Sequence, residues 1–168
     1  ALVYANSKLY ATPWGSSAGG EAWEYDGSNW TMIGGNFVNE SWGGATVTRI
    51  ASSTVMNSKV YFGLGGGVNS AQVYEYDGTT ARRIGGSALA GSWPVNTYEE
   101  VTALMAYKGA LYAGLGNSAG DAELYKWDGS SWTQVGGNGL NSSWSVLSES
   151  SVRSMTTWRG NLYVGLGT

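Results

Sequence analysis

The sequence repeats itself every 51 residues, and no gap is needed in any comparison. Three repeats follow one another at residues 7–57, 58–108 and 109–159, and a further copy of the opening hairpin covers residues 154–168. A repeat of this length is typical of stacked supersecondary units, none of which buries its apolar surface alone. The period therefore predicts a single repetitive domain over residues 1–168.

Four short strands are predicted in each repeat unit. In the best-defined unit they are Val101–Tyr107, Ala110–Leu115, Glu123–Trp127 and Trp132–Val135. Lys-Gly between the first two strands and Asp-Gly between the last two are typical of tight turns. The chain holds 27 glycines, and aromatic residues make up 13% of it. Both features favour pleated strands joined by tight turns, so we expect an all-β fold.

A longer connection of irregular sequence links each unit to the next. Each of these connections contains a Ser-Trp pair, at Ser41-Trp42, Ser92-Trp93 and Ser143-Trp144. Four antiparallel strands followed by a longer crossing to the next unit is the plan of a β-propeller blade. We therefore predict a β-propeller built from four-stranded antiparallel blades.

The order of these motifs resembles the kelch-type blade. That blade has a glycine-rich second strand, a tyrosine before the turn that follows the third strand, and a tryptophan shortly after this turn. Here the second strand of each unit carries a Leu-Tyr or Val-Tyr pair. The position before the turn is occupied by Tyr25, Tyr76 and Trp127, and the tryptophan after it by Trp30 and Trp132. The middle unit departs from the pattern, because Ala81 stands where the tryptophan is expected. The Trp-Asp-Gly turn also resembles the corresponding turn in blades of small lectins of the tectonin and fucose-lectin type. This resemblance implies a sugar-binding propeller.

Three blades are too few to close a ring, because propellers use roughly four to eight. An open arc would expose two apolar blade faces, and exposed apolar patches mark association sites. We expect a homo-oligomer, most simply a dimer that completes a six- or seven-bladed ring. The alternative is that the chain is a segment of a longer repetitive array, natural or designed. Either copy of the hairpin could pair with the third and fourth strands of a unit. The sequence therefore does not decide which copy completes the blade where the ring closes.

Composition excludes several classes of function. Cysteine and histidine are both absent, so we expect no disulfide, thiol nucleophile, Ser-His-Asp triad or conventional zinc site, and we predict no cofactor or metal. The net charge is −3, and the nine Lys and Arg residues form no basic stripe that would hold a nucleic acid. No apolar run approaches the roughly 18 residues of a membrane span. The absence of cysteine is compatible with an intracellular or an extracellular location, and we expect an extracellular or cell-surface one.

Carboxylates recur along the chain, but they do not form a catalytic set. Asp26, Asp77 and Asp128 precede glycine, and we expect them to bond to the backbone of their own turns. The pairs that glycoside hydrolysis would need are Glu21 with Glu24, Glu99 with Glu100, and Asp121 with Glu123. None of these pairs occurs in all three units, and solvated surface positions are the expected place for such charges. We therefore predict that the protein is not an enzyme.

The loop tryptophans are the best candidates for a binding function. They lie in the long connections, and an indole offers a flat apolar surface and one N–H donor to a sugar ring. We expect the ligand-binding residues to be Trp42, Trp93 and Trp144, together with Tyr98, Glu99 and Glu149. The alternative is that each tryptophan fills the gap between two neighbouring units.

Two functions follow from these features. The first is a non-enzymatic, multivalent binding module, with carbohydrate as the favoured ligand, because equivalent weak sites gain avidity when they are presented together. The second is a protein-interaction or self-assembling structural propeller without a small-molecule ligand. A glycoside hydrolase is the least favoured class, because it would need two carboxylates to converge in the channel of an assembled ring.

Overall fold

The computed structural model describes residues 1–13, 19–43, 47–93, 98–144 and 148–168. These residues form antiparallel β-sheets connected by turns and by two short 3₁₀ segments, Val38–Glu40 and Leu140–Ser142. The predicted all-β class is confirmed. One of the sheets curls strongly into half a barrel.

Strands that follow one another in the chain pair with one another, and they form three four-stranded groups and a terminal hairpin. Group 1 contains β1 (Leu2–Ala5), β2 (Lys8–Ala11), β3 (Ala22–Tyr25) and β4 (Trp30–Gly34). Group 2 contains β5 (Val47–Met56), β6 (Lys59–Gly66), β7 (Gln72–Tyr76) and β8 (Ala81–Gly86). Group 3 contains β9 (Glu100–Tyr107), β10 (Ala110–Gly116), β11 (Glu123–Trp127) and β12 (Trp132–Gly136). The terminal hairpin contains β13 (Ser151–Trp158) and β14 (Asn161–Gly167).

Group 1 forms a separate sheet, whereas the other ten strands are linked into one. The links between groups in the larger sheet are single residue pairs, Gly65 with Glu100 and Gly116 with Ser151. Each group is therefore a meander of its own, and in the larger sheet a single residue pair links one meander to the next. The strand bounds differ from the predicted ones by no more than one residue in group 3, because the pattern of apolar residues and turns defines them locally.

Two-residue turns close the hairpin between the first and second strands of every group. The central residues have positive φ, for example 48° at Lys108 and 74° at Gly109, and 48° at Arg159 and 76° at Gly160. Positive φ at both positions matches the right-handed twist of the flanking strands, as in type I′ hairpins. The turn at Lys108-Gly109 confirms the hairpin predicted from Lys-Gly.

The buried apolar residues form two clusters, and each cluster lies between consecutive groups. The first cluster joins groups 1 and 2 and includes Tyr10, Trp42, Phe62 and Leu64. The second joins groups 2 and 3 and includes Val73, Trp93, Leu111, Tyr125 and Trp132. Stability therefore comes from stacking one group on the next, as expected for units that bury little on their own.

Charged and polar contacts align the groups. The guanidinium of Arg49 forms two bonds to the carboxylate of Glu100, at 2.8 and 2.6 Å. These residues are 51 positions apart and so occupy the same place in two successive repeats. Ser52 donates to the carbonyl oxygen of Val101 at 2.8 Å, and Thr102 donates to that of Val152 at 2.6 Å. The first strands of successive groups therefore lie side by side.

Candidate functional site

The Ser-Trp pairs are held at the end of the fourth strand of each group. The serine hydroxyl accepts a hydrogen bond from a backbone N–H six residues earlier, at 2.8 to 2.9 Å; the pairs are Ser41 with Gly35, Ser92 with Gly86, and Ser143 with Gly137. In each case this glycine has positive φ, between 101° and 148°. The turn therefore folds back on its own strand and fixes the direction of the following indole.

Each indole then lies directly over a glycine of its own fourth strand. A Cβ atom added to Gly34, Gly85 or Gly136 would come within 2.6 to 2.8 Å of the ring atom Cη2 of Trp42, Trp93 or Trp144, respectively. Any larger residue would clash with the ring at this distance. The glycine pair at the end of every fourth strand thus has a packing role: its first member makes room for the indole, and its second forms the turn.

Trp42 lies in the interface between groups 1 and 2. Its side chain is only 3% exposed, and its Nε1 donates to the carbonyl oxygen of Gly20 at 2.6 Å. The ring makes edge contacts with Phe62 and Tyr74 of group 2, at centroid distances of 5.8 and 5.1 Å. Both the ring surface and the polar edge are therefore engaged within the chain.

Trp93 occupies the equivalent position between groups 2 and 3. It is 1% exposed, and its ring contacts Tyr125 at 5.6 Å and Trp132 at 5.4 Å. Its Nε1 is buried and has no hydrogen-bond partner among the described residues. Trp132 donates its own Nε1 to the carbonyl oxygen of Ile84 in group 2 at 2.8 Å, which connects the two groups by a second contact.

Trp144 follows group 3 and is only half-buried. Its Nε1 donates to the carbonyl oxygen of Ala122 at 2.7 Å, as Trp42 does to Gly20 at the equivalent position. The next strands are those of the terminal hairpin, and within the described residues its second strand, β14, is not paired with a third strand. The indole of Trp144 is thus oriented like those of Trp42 and Trp93, which lie in the interfaces (joints) between groups. It is less buried than they are.

The three remaining predicted binding residues lie near the second and third groups. Tyr98 is buried, and its hydroxyl donates to the carboxylate of Glu123, which also accepts from Tyr125 at 3.2 Å. Burial, followed by the bond to Glu123, raises the pKa of Tyr98 well above its usual range. Glu99 accepts a hydrogen bond from the side chain of Asn117. The backbone carbonyl of Glu149 accepts from the N–H of Gly120 at 3.0 Å.

The structure therefore brings together only part of the predicted set. Trp93 and Tyr98 share Tyr125 as a neighbour in one cluster, whereas Trp42 and Trp144 lie in other joints. Burial raises the pKa of the nearby Asp121, and the carboxylates of Glu123 and Glu99 add to this effect. No group of three or more acidic residues within the described ranges is arranged to hold a metal ion.

Some of the acids predicted to be solvated are buried. Glu24 and Glu100 are 9% and 8% exposed, respectively, so the expectation is wrong for these two. Each has a cationic partner: Lys8 lies 2.6 Å from Glu24, and Arg49 pairs with Glu100. A carboxylate can lie in a strand interface when such a partner compensates for its lost hydration.

The aspartates of the turns behave as predicted. Asp128 accepts from the backbone N–H groups of Ser130 and Ser131 at 2.8 and 2.9 Å, and Asp26 and Asp77 make the same contacts. These bonds lower the pKa of Asp128 to about 2. The repeated carboxylate is therefore part of the turn.

Sequence reasoning missed a groove on group 1. It has a volume of 320 Å³ and is lined by Ala1, Ala11, Thr12, Pro13, Trp23 and Trp30. Trp30 is 49% exposed and stacks on Tyr25 at 5.0 Å. The repeat offset could have located this groove, because Trp23 and Trp30 are equivalent to Tyr125 and Trp132, which contact Trp93.

A scan against protein-family models and a search of curated proteins found no match for this chain. Among the residues that the structure describes, no helix is long and apolar enough to cross a membrane.

Proposed function

We propose that this protein is a non-enzymatic, self-assembling β-propeller module whose role is to join a second copy of itself. The observation that carries the proposal is a difference in exposure between equivalent positions. Trp132 is 6% exposed inside the chain, whereas Trp30, its equivalent in group 1, is 49% exposed. Leu111 is fully buried, whereas its equivalent Leu162 in the terminal hairpin is partly exposed. Residues at equivalent repeat positions are thus buried by a neighbouring group in the middle of the chain but remain exposed in group 1 and in the terminal hairpin.

A second copy supplies chemically matched cover. Each joint inside the chain combines an indole from one group with aromatic residues of the next, and the two ends carry one half of such a joint each. Two copies with three groups each give six blades, a number with which propellers close. Closure removes both exposed apolar faces, which gives the assembly its driving force.

Sedimentation velocity of the 168-residue chain over a range of concentrations tests this function. We expect a species with twice the mass of one chain. Val164→Lys should weaken it, because the equivalent residues Phe62 and Ala113 are 1% and 0% exposed. Thr133→Lys is the matched control, since its equivalent Arg82 is exposed even in the middle group. A monomer at all concentrations, or equal effects of the two lysines, would refute self-assembly.

A carbohydrate-binding role is the second candidate, and the exposed Trp30 favours it. Its ring stacks on Tyr25 beside the groove of group 1, and such an aromatic shelf suits the C–H surface of a sugar. The loop tryptophans favour it less, because Trp42 and Trp93 are buried. A titration with a panel of sugars, followed by tryptophan fluorescence, separates the roles. A response that Trp30→Phe preserves and Trp30→Ala abolishes would support binding, and no response to any sugar would refute it.

A further inference from the structure

The two end hairpins occupy equivalent repeat positions but differ in length. In β1–β2 each strand has four residues, whereas β13 has eight and β14 has seven. The longer hairpin has the length of the hairpins inside the chain, where β9 and β10 have eight and seven residues. Among the residues that the structure describes, no third strand pairs with β14 of the full-length hairpin, and the third strand of group 1 is paired with the short hairpin.

The residues of β14 also match the inner hairpins more closely. Leu162-Tyr163-Val164-Gly165-Leu166-Gly167 repeats the pattern of Leu111–Gly116, whereas β2 and the two residues after it read Lys8-Leu9-Tyr10-Ala11-Thr12-Pro13. Proline at the position of Leu115 cannot donate to a strand ladder, and it ends the second strand early. The terminal hairpin is thus better suited than β1–β2 to a complete four-stranded group.

The terminal hairpin is fixed to group 3 by its first strand. Val152 is fully buried, its side chain lies against Gly114, and its carbonyl oxygen accepts a bond from Thr102. The strand β14 nevertheless keeps Leu162, Val164 and Leu166 partly exposed, although the equivalent residues of β10 are fully buried. Within the described ranges β14 pairs with β13 alone, so the edge that β10 offers to β11 is left unpaired in β14.

From these observations we propose that two copies exchange strands: β14 of one copy pairs with β3 of the second and displaces the second copy's β1–β2 hairpin. The hybrid group then contains β13 and β14 from one chain and β3 and β4 from the other. This inference rests on the self-assembly proposed above and specifies its joint. Done twice, the exchange gives a dimer of six complete groups.

The register of the exchanged pair follows from the repeats. Leu9 lies opposite Tyr25 in group 1, Val60 opposite Tyr76 in group 2, and Leu111 opposite Trp127 in group 3. The equivalent residue of β14 is Leu162, so it lies opposite Tyr25 of the second copy. By the same offset, Val164 lies opposite Trp23 of the second copy.

The exchange also completes the joint around Trp144. Inside the chain, Trp93 is enclosed by Tyr125 and Trp132 of the following group. In the hybrid group the equivalent residues are Trp23 and Trp30 of the second copy. The half-buried indole of Trp144 therefore enters the groove that these two tryptophans line.

Cysteine cross-linking tests the exchange directly, because the unmodified chain contains no cysteine. Residues directly opposite in an antiparallel pair have Cα atoms about 4.5 to 5.5 Å apart, a separation that a disulfide can bridge. The test variant carries Leu162→Cys and Tyr25→Cys, and the matched control carries Leu9→Cys and Tyr25→Cys. Both replace a leucine at the same repeat position. Each is oxidised at a concentration at which sedimentation shows the dimer, and is then run on a denaturing gel without reductant.

We expect a covalent dimer from the test variant and no cross-link from the control. An intrachain disulfide in the control, with no cross-link in the test variant, would show that β1–β2 stays in place; the exchange would be wrong while self-assembly stands. An intrachain disulfide in the test variant would show that the chain closes on itself, and a natural chain that stays monomeric would show that another occupant covers these faces. Either of those results overturns both proposals.

A second measurement examines Trp144. Trp144→Ala should raise the dissociation constant of the dimer about 30-fold or more, the loss typical of truncating a central interface tryptophan. Val68→Ala is the control, because Val68 is 57% exposed in a turn of group 2 and lies outside the exchanged hairpin. Equal effects of the two substitutions on dissociation would contradict the assignment of Trp144 to the joint.

Discussion

Gly85 lies against two indoles at once, and Gly85→Ala tests whether Trp93 acts as a packing residue. A Cβ atom at this position would come within 2.8 Å of Cη2 of Trp93 and 3.0 Å of Nε1 of Trp132. Both rings are held, Trp93 by its burial and Trp132 by its bond to Ile84. Neither can move away without opening the interface between groups 2 and 3.

The expected cost follows from two opposing effects. Replacing glycine by alanine at an unstrained position stabilises a protein by about 0.4 to 1 kcal/mol, because it restricts the unfolded chain. Forcing an extra methyl group into a well-packed core typically costs about 1 to 3 kcal/mol. The contact at 2.8 Å involves rigid rings on both sides, so the clash should win. We expect Gly85→Ala to lower the free energy of unfolding by about 1 to 2 kcal/mol.

Equilibrium unfolding in urea, at one fixed protein concentration, measures this difference. Gly67→Ala is the matched control, because an added Cβ atom at Gly67 meets nothing within 4 Å, and we expect it to be neutral or slightly stabilising. In a Trp93→Phe background the smaller ring leaves room, so Gly85→Ala should cost less there than in the natural chain. Equal costs in the two backgrounds would refute the claim that Trp93 and Gly85 are in tight contact.

Three further predictions concern charged and titrating groups. Arg49→Ala leaves the buried carboxylate of Glu100 without its partner, and urea unfolding should show a loss of about 2 to 4 kcal/mol, part of which a double replacement by leucine should recover. Burial, followed by the charge of Glu24, raises the pKa of Tyr10 to about 12. Because the unfolded chain loses this proton at a lower pH than the folded chain, the free energy of unfolding should fall as the pH rises from 10 to 12. Tyr10→Phe should reduce this fall. The backbone bonds that lower the pKa of Asp128 to about 2 contribute stability above pH 4 that is lost as the pH falls towards 2; urea unfolding against pH should show that Asp128→Ala destabilises only above this window.

The strands could be predicted because their determinants are local. The turn at Lys108-Gly109 and the alternation of apolar residues before and after it place β9 and β10 to within one residue. The bonds of Asp128 within its own turn are equally local. Such features depend on neighbours a few residues away, and the sequence states these neighbours directly.

The burial of charge could not be predicted in the same way. Glu24 looked like a surface residue because its partner Lys8 lies on another strand, 16 residues away. Arg49 and Glu100 are a different case, because they are 51 residues apart and occupy the same repeat position. Repeat units that stack in order bring equivalent positions close together. Residues of opposite charge that are one repeat apart, such as this pair, could therefore have been used to predict the ion pair.

The function of the loop tryptophans could not be decided from the sequence, because an indole suits a sugar platform and a packed joint equally well. The deciding facts are the partners of its ring and of its N–H. Trp42 donates its Nε1–H to the carbonyl oxygen of Gly20, and the ring of Trp93 packs against Tyr125 and Trp132. Neither partner set is visible in the few residues around each tryptophan.

A trade in side-chain size between two strands supports the packing role of these indoles. In group 3 the incoming Trp93 meets Trp132 on the fourth strand, and the second strand carries the small Ala113. In group 2 the fourth strand carries Ala81 instead, and the second strand carries Phe62, which contacts the incoming Trp42 at 5.8 Å. A large residue on one strand thus accompanies a small one on the other, which keeps the volume around the indole filled. A ligand platform open to solvent would impose no such balance, whereas a joint packed to the density of a protein interior requires it.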